Sequence, residues 1–436
     1  MKKYFVLMLI TLSLGFAACS DDDTKVSLSS VSIANEQEIT EIVQNGILTL
    51  VAQYECNITP KIEWKVDNEV KSNEATFNFS SEKLGEHIIT LTVFTNETEE
   101  SATLKINVYG KYKKGTFILN EGSAGRTNSH LIFISPNYEI TKEAYFEVNN
   151  SHLGDVSQDL YINNGKIYIV SQGAFNNKST MGVIVANAET LKKIIFYHDE
   201  LSDLNSPTHI AVTDEDNLYI RDSEGIHLFN PSTKSVVLIE GTEGALKTRM
   251  AVSKGKVFIA KGTSIVVIQG QKVINTKEFN STPTGVLKAD DGNIWVSTEH
   301  SISKLSSIDY SIIRTNQLES YQLKSYGTPA ISAKGNMLYF NSNFDTKIYR
   351  HNFTIGETKM LYNVGENIEN ANITYGSVAI NPNNGDVYIN TIKGYSDYTT
   401  NNISIFNFEY NTDPLLHNLK GYTSFPGGVY FTNSFE

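Results

Sequence analysis

Apolar and polar residues alternate with a period of two along most of this chain, the pattern of strands with one buried face. In the first quarter, Ile89, Leu91 and Val93 fall on one side of segment 87–93, and Leu104, Ile106 and Val108 on one side of 103–108. Segments 48–52 and 62–66 add two more strands. Trp64 is followed by a turn at Asp67-Asn68-Glu69, and Gly85 leads into the long strand. Together they predict a small β-sandwich over residues 27–109. Tyr109-Gly110-Lys111-Tyr112-Lys113-Lys114-Gly115 reads as a linker.

The rest of the chain repeats itself. A short β-rich strand recurs at 166–169, 217–220, 256–259, 293–296, 337–340, 386–389 and 428–431. Its aromatic residues, from Tyr168 to Tyr430, lie 51, 39, 37, 44, 49 and 42 residues apart, the spacing of four-stranded propeller blades. One unit spells out a blade. Residues 208–212 are its inner strand, 218–220 the second and 225–229 the third; after an Asn230-Pro231 turn, 235–239 close it.

The ends of the repeat decide how it closes. Residues 117–119, 130–134 and 143–146 read as second, third and fourth strands with no inner strand before them. Residues 426–431 have nothing after them and begin at a proline, as the inner strands at Pro207 and Pro329 do. The last strand therefore completes the first blade, a one-plus-three exchange that removes exposed sheet edges. An eighth blade would need about three more strands than the chain supplies. The prediction is an all-β protein: a seven-bladed β-propeller over 115–436, preceded by the small sandwich.

The N-terminus has a different character. Lys2 and Lys3, an apolar run from Tyr4 to Phe16, and Ala17-Ala18 before Cys19 make residues 1–18 a lipoprotein signal peptide, too short for a membrane span. The Cys19 thiol is the expected lipid attachment, and residues 19–26 form an acidic tether. Its run Ser20-Asp21-Asp22-Asp23 resembles the surface-export signal of outer-membrane lipoproteins in gut anaerobes. That resemblance implies a protein anchored in the outer membrane and facing outward; with no second apolar segment of spanning length, the acyl anchor is the only membrane attachment expected.

Charge and composition then exclude several classes. Loss of Lys2 and Lys3 takes the net charge from −12 to −14, which disfavours nucleic acid as a partner. With Cys19 lipidated, Cys56 has no partner among two cysteines, so neither a disulfide framework nor a cysteine zinc site is expected, and Cys56 is expected to be buried and inert. The nine histidines form no HxH or HExxH pair, and there is no GxSxG elbow or phosphate-cradling glycine loop. His209, starting an inner strand, could face a metal or cobalt but reads as structural. Asp214-Glu215-Asp216-Asn217 reads as a turn. No enzyme activity and no resident cofactor are expected. The enzymatic alternative is a propeller lactonase or lyase whose metal ligands are dispersed over several inner strands.

Two resemblances extend this reading. Residues 27–109 resemble the PKD and immunoglobulin-like modules of bacterial surfaces, which usually act as spacers. Phe117-Ile118-Leu119-Asn120-Glu121-Gly122 and Phe425-Pro426-Gly427-Gly428-Val429-Tyr430-Phe431 resemble the boundary motifs of a YncE-like, DUF5074-type family of surface lipoprotein propellers. The resemblance spans about 115–436 and extends to the cobalamin-binding BtuG family. It implies capture of cobalamin or another corrinoid and its delivery to a TonB-dependent outer-membrane transporter. The motif residues look structural, so no ligand contact is carried over from the family.

Candidate contacts come from the loops instead. Loops joining second to third strands (120–129, 171–182, 341–347, 391–402) gather on one propeller face with those entering the inner strands (149–157, 198–207, 319–329, 365–376). Arg126, Gln172, Phe175, Arg221, Arg249, Tyr326, Phe344, Tyr375, Tyr395 and Tyr398 fall on or beside them. Aromatic faces with amide and guanidinium donors suit a large flat ligand with peripheral carbonyl or amide groups. They equally suit a glycan or a protein partner, the binding alternative to a corrinoid.

Overall fold

The period-two segments form strands whose burial follows the alternation, and the break between two compact units falls at Tyr109 and Gly110. A computed structural model describes residues 25–35, 38–123, 127–174, 178–325, 327–409 and 413–432. In the first unit a three-stranded sheet (Leu28–Ala34, Leu48–Cys56, Thr76–Phe79) faces a five-stranded one. The latter runs, in spatial order, Glu41–Val43, Glu99–Tyr109, Gly85–Phe94, Lys61–Val66, Glu69–Ser72. Trp64, Phe79, Ile89, Leu91, Val93 and Ile106 are wholly buried between them, and the Trp64 indole N–H donates to the Glu74 carbonyl at 2.8 Å. Cys56 departs from expectation: it is half-buried, because it ends a strand that is paired there only with Leu28.

The second unit contains, among the described residues, seven antiparallel sheets of four strand positions each. The third sheet (His209–Asp214, Asn217–Arg221, Ile226–Asn230, Ser235–Leu238) is the unit read from the repeat. In the seventh, the first position is split into Ile373–Thr374 and Ala379–Ile380, both paired with Val387–Ile392. The repeated aromatics Tyr168, Tyr219, Phe258, Trp295, Tyr339 and Tyr388 sit on second strands and are buried in the layers between sheets, which is why the spacing recurs. Tyr430, the seventh copy, lies on a first strand and serves a different purpose.

The first sheet is built from both ends of this unit. Pro426–Phe431 pairs with Thr116–Asn120, which pairs with His130–Ile134 and then Ile140–Thr141. Polar groups extend the seam beyond the strands. Glu121 and Gly122 N–H donate to the Phe425 and Ser424 carbonyls, Asn120 Oδ1 accepts from Ser424 N–H, and Gly115 N–H donates to Thr432 Oγ1. One expectation fails here. Residues 143–146 are not the fourth strand; Ala144–Asn149 is a short helix. Ala144 and Tyr145 are buried in the layer between the first and second sheets, and Asn149 Nδ2 donates to the Tyr145 and Leu191 carbonyls while its Oδ1 accepts from Lys193 N–H. Those contacts require a closed turn rather than an extended chain.

The first strands of all seven sheets, with the residues leading into them, line a shared central cavity of about 580 Å³. No helix among the described residues is long and apolar enough to cross a membrane. Deleting residues 425–436 removes a strand position that Thr116–Asn120 cannot fill and exposes an edge. The truncated protein should lose cooperative thermal unfolding or melt at least about 10 °C lower, since a lost buried strand costs several kcal/mol. An unchanged melting curve by circular dichroism would contradict the closure.

Candidate functional site

Antiparallel pairing puts the start of each first strand and the end of each second strand at the same end of the sheets, so their loops share a face. At that end the cavity is crossed by side chains. Arg249, leading into the fourth sheet, reaches over to the second and first. Its Nε lies 3.2 Å from Asp159 Oδ1, its guanidinium stands 3.9 Å over the Tyr430 ring, and its Nη1 donates to the Val429 carbonyl at 3.4 Å. Asp159, 2% exposed, also accepts from the Tyr430 hydroxyl at 2.8 Å and from Ile210 N–H at 3.1 Å. Burial, reinforced by Asp159, keeps the Tyr430 hydroxyl protonated well past its ordinary range.

Glycine makes this crossing possible. A Cβ on Gly428 would lie 1.8 Å from Arg249 Nη2, closer than any real contact, so only glycine leaves the guanidinium room. Beside it His209, 1% exposed, donates through Nε2 to the Gly327 carbonyl at 2.8 Å, and Thr248 forms a parallel bridge with Gly327. The connection entering the sixth sheet is thereby tied across the ring to the third and fourth. Burial, with smaller repulsion from Arg249 and Lys247, pushes the His209 imidazole down to about 4 against the pull of Asp159 and Gly327. His209 is a neutral structural histidine.

On the same face, between the first and seventh sheets, lies a smaller pocket of about 230 Å³. Phe344, Tyr375 and Tyr395 form its walls, and Glu121 and Gly427 lie on the side of the first sheet. Phe425 adjoins it, stacked on Tyr398 at 4.2 Å between ring centres and 5.4 Å from Tyr375. Asn343, Phe344 and Phe425 all have φ between 50° and 59°, left-handed values that cost a non-glycine residue of order 1–3 kcal/mol each. Burial raises the Glu121 carboxyl, with Lys247 and a 2.6 Å hydrogen bond from Gln158 Nε2 pulling the other way. Burial also raises the Tyr375 hydroxyl, with Glu121 and then Tyr395 adding, so it stays neutral.

Residues 114–432 match a family described as a domain of unknown function, DUF5074. The chain belongs to the DUF5074 family. No curated protein matches it. Among solved structures it is similar to a quinoprotein alcohol dehydrogenase-like protein from Bacteroides thetaiotaomicron, at 14% identity and a TM-score of 0.57, over 92% of this chain and 99% of that one. At that identity the likeness shows the fold, a propeller-like all-β architecture. A Bacteroides thetaiotaomicron protein of unknown function is also similar, at 13% identity over 74% of this chain and 96% of that one, with a TM-score of 0.34.

Within this DUF5074 fold the ten candidate contacts separate. Phe344, Tyr375 and Tyr395 converge on the face pocket, with Tyr398 stacked next to it. Arg249 lies in the central cavity and is committed to Asp159 and Tyr430. Arg221 is tied to the Ala245 carbonyl and Thr208 Oγ1, and neither it nor Gln172 lines the pocket or the cavity. Arg126, Phe175 and Tyr326, like Cys19, lie outside the described residues. Glu121, Gln158, Asp159, Phe425 and Tyr430 were missed as site residues. Three of them stood in the boundary motifs taken as structural, where a carboxylate directly after an apolar strand was the available signal. Among the described residues no group of three or more His, Cys, Asp or Glu side chains could hold a metal ion.

Two outcomes follow from the crossing. Gly428→Ala should evict Arg249 and leave Asp159 buried without its cation, destabilising the protein by roughly 3–5 kcal/mol in urea titration. Unfolded His209 takes a proton near its ordinary 6.5, whereas folded His209 does so only at about 4. This part of the stability is therefore complete above pH 6.5 and is lost as pH falls from about 6.5 towards 4, by about 3 kcal/mol. His209→Gln should flatten that part of the pH profile; equal slopes for both proteins would refute it.

Proposed function

We propose that this protein is a surface lipoprotein that captures a bulky small-molecule nutrient, most plainly a corrinoid such as cobalamin, on its loop face and hands it to a TonB-dependent outer-membrane transporter. In this reading the second unit is a seven-bladed propeller closed by one-plus-three exchange. Seven sheets whose first strands share one cavity, and a C-terminal strand lying innermost in the first, support it. The first unit is an immunoglobulin- or PKD-like spacer, supported by two sheets packed over Trp64. Cys19 is the lipid anchor and Asp21-Asp22-Asp23 the surface-export signal. The protein binds without turning its ligand over.

The observation that carries the binding reading is the convergence of Phe344, Tyr375 and Tyr395 on one pocket, with the Tyr398–Phe425 stack beside it. Tyr395 is 63% exposed, a large aromatic surface left to solvent on a face whose neighbouring backbone is held in left-handed conformations. An exposed ring beside a pocket walled by two further aromatics offers a stacking surface for a ligand. The pocket would seat one edge or side arm of a corrinoid while the stacked rings offer a flat face to the rest.

Calorimetry of residues 25–436 with cobalamin and cobinamide tests the ligand. Binding should weaken at least about tenfold in Tyr395→Ala, the loss of one aromatic contact of about 1.4 kcal/mol. No heat with either corrinoid would remove them as ligands, and a glycan array would then examine the sugar-binding alternative. Location has its own test. Cys19→Ala should release the protein from the membrane, and alanine at Asp21, Asp22 and Asp23 should leave it lipidated but facing inward. Protease accessibility on intact cells separates these outcomes, and unchanged surface exposure of both variants would overturn the anchor and export readings.

A further inference from the structure

We infer that the face pocket selects a head group bearing N–H donors, an alkylammonium or a primary carboxamide, by presenting the Glu121 carboxylate within walls formed by Phe344, Tyr375 and Tyr395. This rests on the loop face being the binding face, and it specifies what that face recognises.

Glu121 is held in place from two directions. Its backbone N–H donates to the Phe425 carbonyl at 2.9 Å, and its Oε2 accepts from Gln158 Nε2 at 2.6 Å. Oε1 has no hydrogen-bond partner among the described residues and lies 3.1 Å from where a Cβ of Gly427 would stand, so the glycine leaves that oxygen its space. Glu121 has no ion-pair partner within 4 Å among the described residues; Lys247 acts on it only at longer range. Burial pushes such a half-buried carboxyl, with an unused oxygen and no paired cation, towards its protonated form, and a ligand that supplies a donor stabilises the ionised form.

An ionised carboxylate can only accept. The ligand group must therefore donate, which turns away carboxylates and phosphates. The aromatic walls refine the choice, because ring faces attract positively polarised N–H and ammonium groups more strongly than hydroxyl groups. A volume of about 230 Å³ fits a head group and its short arm, not a macrocycle. The same chemistry has two sources: a free or ligand-borne amine, or the carboxamide arms around a larger neutral ligand.

Ligand-observed NMR titration of the full mature chain with n-butylammonium, butyramide, n-butanol and butyrate separates these. Either nitrogen probe should bind at least about tenfold tighter than butanol and butyrate, the margin of one charge-assisted hydrogen bond. Preference for butylammonium assigns a cationic source, and preference for butyramide assigns a carboxamide source. Glu121→Gln should cost the preferred probe about tenfold while the melting temperature stays within a few degrees. Tyr395→Ala, at an exposed position with little folding role, should reduce the preference for nitrogen over butanol about threefold or more. Equal affinity for butanol, tighter binding of butyrate, or an unaffected Glu121→Gln protein overturns the inference. Cobinamide distinguishes this failure from that of the corrinoid reading. Equal cobinamide affinity in wild type and Glu121→Gln would leave the corrinoid reading and remove this one. Glu121-dependent binding of a nitrogen probe without any corrinoid binding would do the reverse.

Discussion

The hydrogen bonds between Pro426–Phe431 and Thr116–Asn120 join residues about 300 positions apart, and the loop face is organised around that seam. Unlike a terminal strand added at an outer edge, this one occupies the innermost position of its sheet and borders both the central cavity and the face pocket. Closing the ring therefore does two things at once. It satisfies the backbone of Thr116–Asn120, and it carries Phe425, Gly427, Gly428 and Tyr430 to the positions from which they shape both spaces. Closure of the first sheet and the shape of both spaces depend on the same strand.

Charge is admitted to this seam only where glycine makes way. Gly428 makes room for the Arg249 guanidinium, which then bridges Asp159 and the face of Tyr430. Gly427 does the same for Glu121. The two half-buried charges differ in their surroundings. Arg249 is paired with a carboxylate 2% exposed to solvent and acts as a cross-brace over the cavity. Glu121 has a neutral amide on one oxygen and, among the described residues, no hydrogen-bond partner on the other. A brace over the cavity and a carboxyl lining the face pocket thus lie beside adjacent glycines on one strand, separated by what each charged group finds opposite it.

The loop face has a comparable division. His209, Thr248 and Gly327 tie the connection entering the sixth sheet across the ring, so the loops next to the face pocket rest on a fixed frame. Of the aromatic residues at the pocket, Phe344 and the adjoining Phe425 sit on backbone in the left-handed region, as does Asn343. Strained segments persist where surrounding structure over-determines them, and here the frame and the seam supply that support.

Much of the architecture was legible along the chain because its causes are local and periodic. Alternation placed Ile89, Leu91, Val93 and Ile106 on buried faces, and the recurring aromatics marked second strands because each sheet needs a large residue in the layer against its neighbour. The unpaired strand at 426–431 pointed to its partner, since an edge at one end of a repeat matches a gap at the other. Local pattern failed at 143–146, where contacts of Asn149 with residues more than 40 positions away turn an apolar segment into a helix. It also failed to separate Tyr375 and Tyr395 from Arg221 and Gln172, which share the same loop chemistry. Which loop residues meet depends on how seven sheets are arranged about an axis, and no spacing within one sheet encodes that. Residue type and periodicity determined the strands and their order. The meeting of Glu121 with Phe344, Tyr375 and Tyr395, and of Arg249 with Asp159 and Tyr430, was decided only in three dimensions, because each pairs residues from different sheets whose distance the ring alone sets.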